Sequence, residues 1–223
     1  MLKNKISLVT GGTGGLGQQI AKMLKAKGSK VFLTGRDQEK LDMLSAEYQT
    51  IALDLRSSAK IKDVVEEIKP DVLINCAGVF PVGSILQTTE EIFDETFEVN
   101  VKAPFLLTKS SIPHMQKCGW GRIVNVGSSS AYGGFANTSV YCASKHALLG
   151  LSRASYNELK EHGIRVFCFS PGSIKTEMGK KVQGQDYSTF MEPGEIAKFI
   201  VDAISYDHNM ISEEVRLNRV FVQ

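Results

Sequence analysis

A doubly wound α/β fold, a parallel sheet with helices on both faces, is predicted by three features of the sequence. Short apolar runs alternate with segments of helical periodicity from the first residues onward, as parallel strands joined by crossover helices do. A glycine-rich stretch, Thr10-Gly11-Gly12-Thr13-Gly14-Gly15-Leu16-Gly17, separates the first apolar run from the first helical pattern. The chain has 223 residues, 43% apolar and 22% charged, which suits one well-cored α/β domain and is short for two. A single domain over 1–223 is therefore expected, with a short substrate-loop segment at about 177–192.

Residues 6–10 read as a first buried strand, and 15–27 as a helix whose Leu16, Ile20, Met23 and Leu24 share a face. The next two strands fall at 30–34 and 50–55, with a helix at 38–48 between them. Residues 58–68 form a helix with Ile61, Val64, Val65 and Ile68 on one stripe. Strand four follows at 71–75. Thr88 and Glu91 have the spacing of a capping box and open a long helix running through Phe97 and Phe105, in which Pro104 predicts a kink or break. Strands five and six are expected at 122–126 and 165–169, flanking the helix that holds Tyr141 and Lys145. A last helix at 194–205 precedes a terminal strand around 213–222, for a total of seven strands and about six helices.

A net charge of +2 leaves no electrostatic footprint for nucleic acid. The first apolar run stops at Thr10-Gly11, too short for a signal sequence or a membrane span, so the default expectation is a cytoplasmic protein with neither membrane nor nucleic acid as partner. Cys76, Cys118, Cys142 and Cys168 form no C-x-x-C pair and the four histidines show no metal-ligand spacing. No metal is expected, and the cysteines read as small buried apolar residues.

The glycine-rich turn sits between strand and helix, where backbone N–H groups and the helix dipole can hold a pyrophosphate and a Cβ would block its approach. Its five glycines satisfy three spacings at once: Gly12, Gly14 and Gly17; Gly11, Gly14 and Gly17; or Gly11, Gly15 and Gly17. They name a dinucleotide as the ligand class without choosing among the three. The second strand ends in Thr34-Gly35-Arg36-Asp37. An arginine at that tip favours an adenosine 2′-phosphate through a charge-assisted fork, so NADP(H) is predicted over NAD(H), with Asp37 the residue that argues against it.

Tyr141 and Lys145 are four residues apart and project from one helix face, with Ser128 thirteen positions before the tyrosine. A free phenol has a pKa of about 10 and a neighbouring ammonium favours the phenolate, so this spacing predicts a phenol shifted toward the working pH for proton transfer.

With these segments in place the chain resembles the short-chain dehydrogenase/reductase family in its compact, single-domain branch, with the 3-oxoacyl-acyl-carrier-protein reductases as the nearest comparison. The resemblance rests on Thr10-Gly11-x-x-x-Gly15-x-Gly17, Asp54-Leu55, Asn75-Cys76-Ala77-Gly78, Asn100, Ser128, Tyr141 with Lys145, and Pro171-Gly172-Ser173-Ile174-Lys175-Thr176, in that order. It implies a Rossmann fold with sheet order 3-2-1-4-5-6-7. Tyr141 is then the general acid, Ser128 holds the carbonyl oxygen, Lys145 bonds the nicotinamide ribose and lowers the phenol pKa, and Asn100 supports a water-linked proton path. The implied cofactor residues are Gly11, Thr13, Gly15, Leu16, Gly17, Arg36, Asp54, Leu55, Asn75, Ala77 and Gly78, then Tyr141, Lys145, Pro171, Gly172, Ile174 and Thr176. Asp54 is assigned to the adenine edge, and Ile174 and Thr176 to the carboxamide. Cys76 stands where the family commonly has Asn, and Val215-Arg216-Leu217-Asn218-Arg219 departs from the usual glycine-rich ending.

The expected activity is NADPH-dependent hydride transfer to a ketone or 3-oxoacyl carbonyl. Substrate choice is assigned to Phe80, Pro81 and Val82, to 129–135, and to a flap at 177–191 with Tyr187 and Phe190 as aromatic contacts. A nucleotide-sugar epimerase or dehydratase shares the Tyr-x-x-x-Lys pattern, but only 47 residues follow Thr176 to bind the nucleotide. A non-catalytic dinucleotide sensor would not need the complete Ser128, Tyr141 and Lys145 set. The resemblance further implies a homotetramer or homodimer built on the helices at 89–107 and 140–161.

Overall fold

Seven parallel strands form one sheet in the order β3-β2-β1-β4-β5-β6-β7. The structure, a computed structural model, describes residues 1–220. In chain order the elements are β1 (Ile6–Thr10), α1 (Gly15–Ala26), β2 (Lys30–Gly35), α2 (Gln38–Leu44), β3 (Gln49–Ala52), α3 (Ser58–Ile68) and β4 (Val72–Asn75). There follow α4 (Glu90–Phe97), a π-helical turn (Glu98–Lys102), α5 (Ala103–Cys118), β5 (Gly121–Val126), α6 (Ser139–Leu159), β6 (Ile164–Pro171), α7 (Pro193–Ser205) and β7 (Glu214–Leu217).

Alternation along the strands divides the core in two, because successive side chains of a strand point to opposite faces of the sheet. Val9, Ile74, Val124 and Phe167 pack with Ile20 and Leu24 of α1 and Ile196, Ile200 and Ile204 of α7. Their neighbours Leu8, Leu73, Ile123 and Val166 pack with Ile61 and Val65 of α3 and Leu107 and Met115 of α5. Each such side chain, fully buried, contributes about 1.5–3 kcal/mol. Arg122 is buried as well, and donates to the carbonyls of Gly121, Ile204 and Tyr206 and to Asp207, pinning the end of α7 to the sheet.

Several boundaries differ from the expected ones. The helix at 38–48 stops at Leu44, where the Ser45 hydroxyl donates to the Asp42 carbonyl and the chain turns. Strand β3 ends at Ala52 because Asp54 begins a turn closed by Ser57 N–H to its carbonyl. The cap of α4 is Thr89, whose hydroxyl accepts from Ile92 N–H, while Thr88 instead donates its hydroxyl to Ser84 O. The long fourth helix is three pieces, α4, the π turn and α5. Pro104 lies in the first turn of α5, so it has no N–H to return to the preceding turn, and the helix widens just before it. The terminal strand covers Glu214–Leu217, and positions 221 and 222 of the expected strand lie outside the described residues. No helix among the described residues is long and apolar enough to cross a membrane.

Candidate active site

The loops that follow β1 to β6 converge on one cleft of about 1000 Å³, the place where doubly wound sheets bind ligands. Its first wall is the glycine turn. Gly11 has φ +67°, and a Cβ there would lie 2.8 Å from Ala77 Cα, while a Cβ on Gly17 would collide with the Gly11 carbonyl oxygen. Gly15 faces the opposite wall, where a Cβ would come within 3.2 Å of Thr176 Cγ2. Of the three possible spacings, Gly11, Gly15 and Gly17 is the one that includes the glycine meeting the far side of the cleft. No side chain caps the first turn of α1, and Gly15, Leu16 and Gly17 line the cleft. A pyrophosphate therefore fits on the exposed amides of this turn.

Thr13, Arg36, Asp54 and Leu55 line the same wall, Ala77 and Gly78 the floor, and Pro171, Gly172, Ile174 and Thr176 the far side. Two expected cofactor contacts take other partners. Asn75 is buried at the end of β4 and is not part of the lining; its amide donates to Asn125 Oδ1 at 2.8 Å, and Asn125 donates on to Ser152. Asp54 lines the cleft, but its carboxylate is held by the guanidinium of Arg56, with Nη2 at 2.6 Å, which brings its pKa down to about 2. The carboxylate, with about four lone-pair sites, can still accept from an adenine edge. At the tip of β2, Arg36 reaches Glu95 at 3.4 Å in an exposed pair, and Lys40 also lines the cleft. Asp37 turns away to cap α2, accepting from Lys40 N–H and pairing with the Lys40 ammonium at 3.0 Å.

At the other end of the cleft stand Ser128, from the end of β5, and Tyr141 and Lys145, one turn apart on α6. All three are largely buried. The Ser128 hydroxyl accepts from Ser130 N–H at 3.1 Å and lies beside the Tyr141 phenol. Phe80 packs edge-on against Tyr141, with ring centroids 4.7 Å apart. Burial pushes the phenol up to about 12, and the Ser128 hydroxyl draws it part of the way back. This reverses the expected direction. Lys145 does not govern the phenol, because its ammonium sits 5.7 Å from the ring centroid and donates to Val126 O at 2.9 Å. Burial in turn brings Lys145 down to about 8. At neutral pH the site holds a neutral phenol and an ammonium.

Asn100 lies in the π turn, behind the cleft and outside its lining. Its side chain accepts from Val79 N–H at 2.9 Å and donates to Val79 O and to Ser144 Oγ. Both amide hydrogens and one lone pair of the oxygen are engaged, so the side chain fixes the loop after β4 against α6.

In the substrate region Phe80 and Val82 line the cleft but Pro81 does not. Tyr187 and Phe190 do not reach it either, because Phe190 is buried against Tyr187 and under Arg219. The flap meets the cleft through Met178, Lys181, Val182 and Gln185, and its aromatics act as its anchor. Sequence reasoning missed Gln18, Lys40 and the run Ala136-Asn137-Thr138, all in the lining. Lys40 was within reach of inspection, one helical turn after Arg36. Asn137 was not, since it approaches through a left-handed turn whose carbonyl accepts from Gly83 N–H.

The short chain dehydrogenase family model matches residues 5–186. This chain is a short-chain dehydrogenase/reductase. It is 38% identical over 192 residues to human dehydrogenase/reductase SDR family member 4, covering 80% of this chain and 69% of that one. It is 32% identical over 186 residues to a 3-oxoacyl-acyl-carrier-protein reductase of Rickettsia felis, covering 81% and 77%. Among solved short-chain dehydrogenases, a metagenomic oxidoreductase in complex with NADP superposes with TM-score 0.83 at 29% identity over 99% of both chains. A 4-hydroxyisoleucine dehydrogenase complexed with NADH superposes with TM-score 0.87 at 26% identity over 97% and 98%. The family binds a nicotinamide dinucleotide, and these relatives include both forms.

Proposed function

We propose that this short-chain dehydrogenase/reductase transfers hydride from NADPH to a ketone or 3-oxoacyl carbonyl, with Tyr141 as the general acid. The observation that carries this reading is the placement of Ser128, Tyr141 and Lys145 at one end of a cleft whose other end is the glycine turn and Arg36. When bound, the nicotinamide cofactor supplies the hydride; the protein's task is orientation and proton transfer. Ser128 hydrogen-bonds the carbonyl oxygen, and the neutral Tyr141 phenol donates its proton to that oxygen as negative charge develops there. The Lys145 ammonium, held by Val126 O, is positioned for ribose hydroxyls.

The preference for NADPH rests on charge at the tip of β2. Arg36 and Lys40 line that end, and the Arg36–Glu95 pair is exposed, so a phosphate displaces it at little cost. Asp37, the residue that would repel a 2′-phosphate, is committed to its helix cap. The similarity to the Rickettsia reductase supports a 3-oxoacyl compound as a candidate. We also propose that the working form is a homodimer or homotetramer, a reading supported by the exposed phenylalanines Phe93 and Phe105 on α4 and α5.

The test is a panel of ketones and 3-oxoacyl thioesters followed by NADPH absorbance, with wild type and Tyr141→Phe side by side. Turnover in the variant is expected to fall by about 10²–10⁴-fold while NADPH binding, read by fluorescence, persists. A variant that keeps most of its activity removes Tyr141 from the mechanism. NADPH binding without oxidation across the panel would favour a sensor instead.

A further inference from the structure

We propose that Asp71, His114 and Cys118 form a zinc site at the end of the sheet opposite the cleft. His114 and Cys118 are four residues apart in the last turns of α5 and so project from the same face of the helix. Cys118 Sγ lies 3.8 Å from His114 Nε2. The third donor comes from elsewhere in the chain. Asp71 immediately precedes β4, is buried, and accepts from Ile6 N–H through Oδ2 at 2.9 Å, which leaves Oδ1 directed at the helix, 3.4 Å from the same His114 Nε2. The three donor atoms all lie within 4.8 Å of one another.

The two separations from His114 Nε2 match the edges of a zinc polyhedron, and the third, between carboxylate and thiol, is bounded by 4.8 Å. With Zn–N and Zn–O near 2.0–2.1 Å and Zn–S near 2.3 Å, the edges of a tetrahedron are about 3.3 Å for N to O and about 3.6 Å for N to S. One imidazole, one carboxylate and one thiolate form a mixed N, O and S set that suits a borderline-soft ion such as Zn²⁺ and not Mg²⁺ or Ca²⁺. Burial is graded across the site, from the buried Asp71 to the exposed Cys118, the one exposed cysteine of the chain. Water can therefore supply the fourth ligand. A simple Asp71–His114 ion pair accounts for two of the three groups; the thiol, set beside the imidazole by the helical spacing, is the third donor that a metal ion would use.

The competitor is Lys5, whose ammonium is 3.6 Å from the same Asp71 Oδ1. It already lies 4.2 Å from the centroid of the Trp120 ring, which offers it a second seat when a divalent cation takes the carboxylate. An ion at this place ties the start of β4 to the end of α5. Because the unfolded chain cannot gather the three ligands, binding adds to the stability of the fold.

The test uses the full chain, stripped with a chelator and kept in a non-thiol reductant, then titrated with Co²⁺ and Zn²⁺. One equivalent of cobalt is expected to bind with a thiolate-to-cobalt charge-transfer band, to be displaced by zinc, and zinc is expected to raise the melting temperature. Cys118→Ser, at an exposed position and checked by circular dichroism, should lose the band and bind zinc at least roughly tenfold more weakly, since even outer-shell losses cost that much. Lys5→Met should bind at least as tightly as wild type. No stoichiometric zinc uptake by wild type, or equal affinity in Cys118→Ser, overturns the site; weaker binding in Lys5→Met overturns the seat on Asp71.

Discussion

Lys145 is the side chain in which burial and charge oppose each other most directly. Its pKa falls from 10.5 to about 8 on folding, so the unfolded chain binds this proton more readily than the native one. Stability from this group therefore rises as pH climbs from about 8 to 10.5, and the full penalty is present below 8. At neutral pH it is on the order of 3 kcal/mol, less the value of the bond to Val126 O. Tyr141 works the other way at higher pH. Its pKa rises from 10.0 to about 12, so the unfolded chain gives up the proton first and stability falls as pH rises across that range. Lys145→Met is expected to unfold at higher denaturant than wild type at neutral pH, by about 1–2 kcal/mol, with the advantage gone by about pH 10, and to lose turnover. Chemical denaturation at the two pH values checks this. At the other end of the cleft, Arg36→Ala is expected to raise the KM for NADPH by about tenfold or more, the value of a charge-assisted bond, and to leave that for NADH nearly unchanged. Initial rates with the two cofactors decide it. The residues read correctly as neighbours, Tyr141 and Lys145, are neighbours because helical spacing is local. The Asn75–Asn125 bond was not legible because Asn125 lies on another strand, whereas the Arg56 that pairs with Asp54 stands two residues away and was open to view.

At the level of elements, the break between α4 and α5 shapes the site more than either helix does. Pro104 was visible in the sequence, and so was the interruption it causes. The π-helical form of that interruption was not, because it depends on how the freed turn packs against α6. It turns Asn100 inward, where one amide grips both backbone groups of Val79 and the Ser144 hydroxyl. Asn100→Ala leaves the half-buried Val79 N–H and C=O without their side-chain partner, and is expected to cost about 1–3 kcal/mol of stability, read as a lower melting temperature, with turnover falling as the loop carrying Phe80 loosens against Tyr141. The cap of α4 makes the same point on a smaller scale. Thr88 and Thr89 are equivalent in sequence, and the Ser84 carbonyl decides between them by taking the Thr88 hydroxyl.

The whole molecule puts its two candidate sites at opposite ends of one parallel sheet. The cleft lies at the carboxyl ends of the strands, where the connecting loops all emerge, and the Asp71–His114–Cys118 group lies where β4 begins. Between them the alternating strands form a rigid slab packed on both faces. On the outside, the exposed Phe105 borders a groove with Phe97, Val101 and Leu151 that is otherwise lined by charged side chains, most of them from α4 and the π turn, and it is the large apolar side chain that the proposed association would cover. Sizing in solution is expected to give a dimer or tetramer for wild type and a smaller species for Phe105→Glu; an unchanged elution volume would place the interface elsewhere.

The strands, the crossover helices, the glycine turn and the serine, tyrosine and lysine at the end of the cleft were all legible along the chain. Each of these is written in local spacing, period two for strands and three to four for helices, or in the order of motifs along the chain. Packing alone set which way Asn75 and Asn100 face, that burial makes Tyr141 a weaker acid, and that a strand and a helix end bring Asp71 to His114 and Cys118. Those outcomes turn on contacts between residues far apart in the chain and on how much water reaches them, and spacing along the chain carries neither.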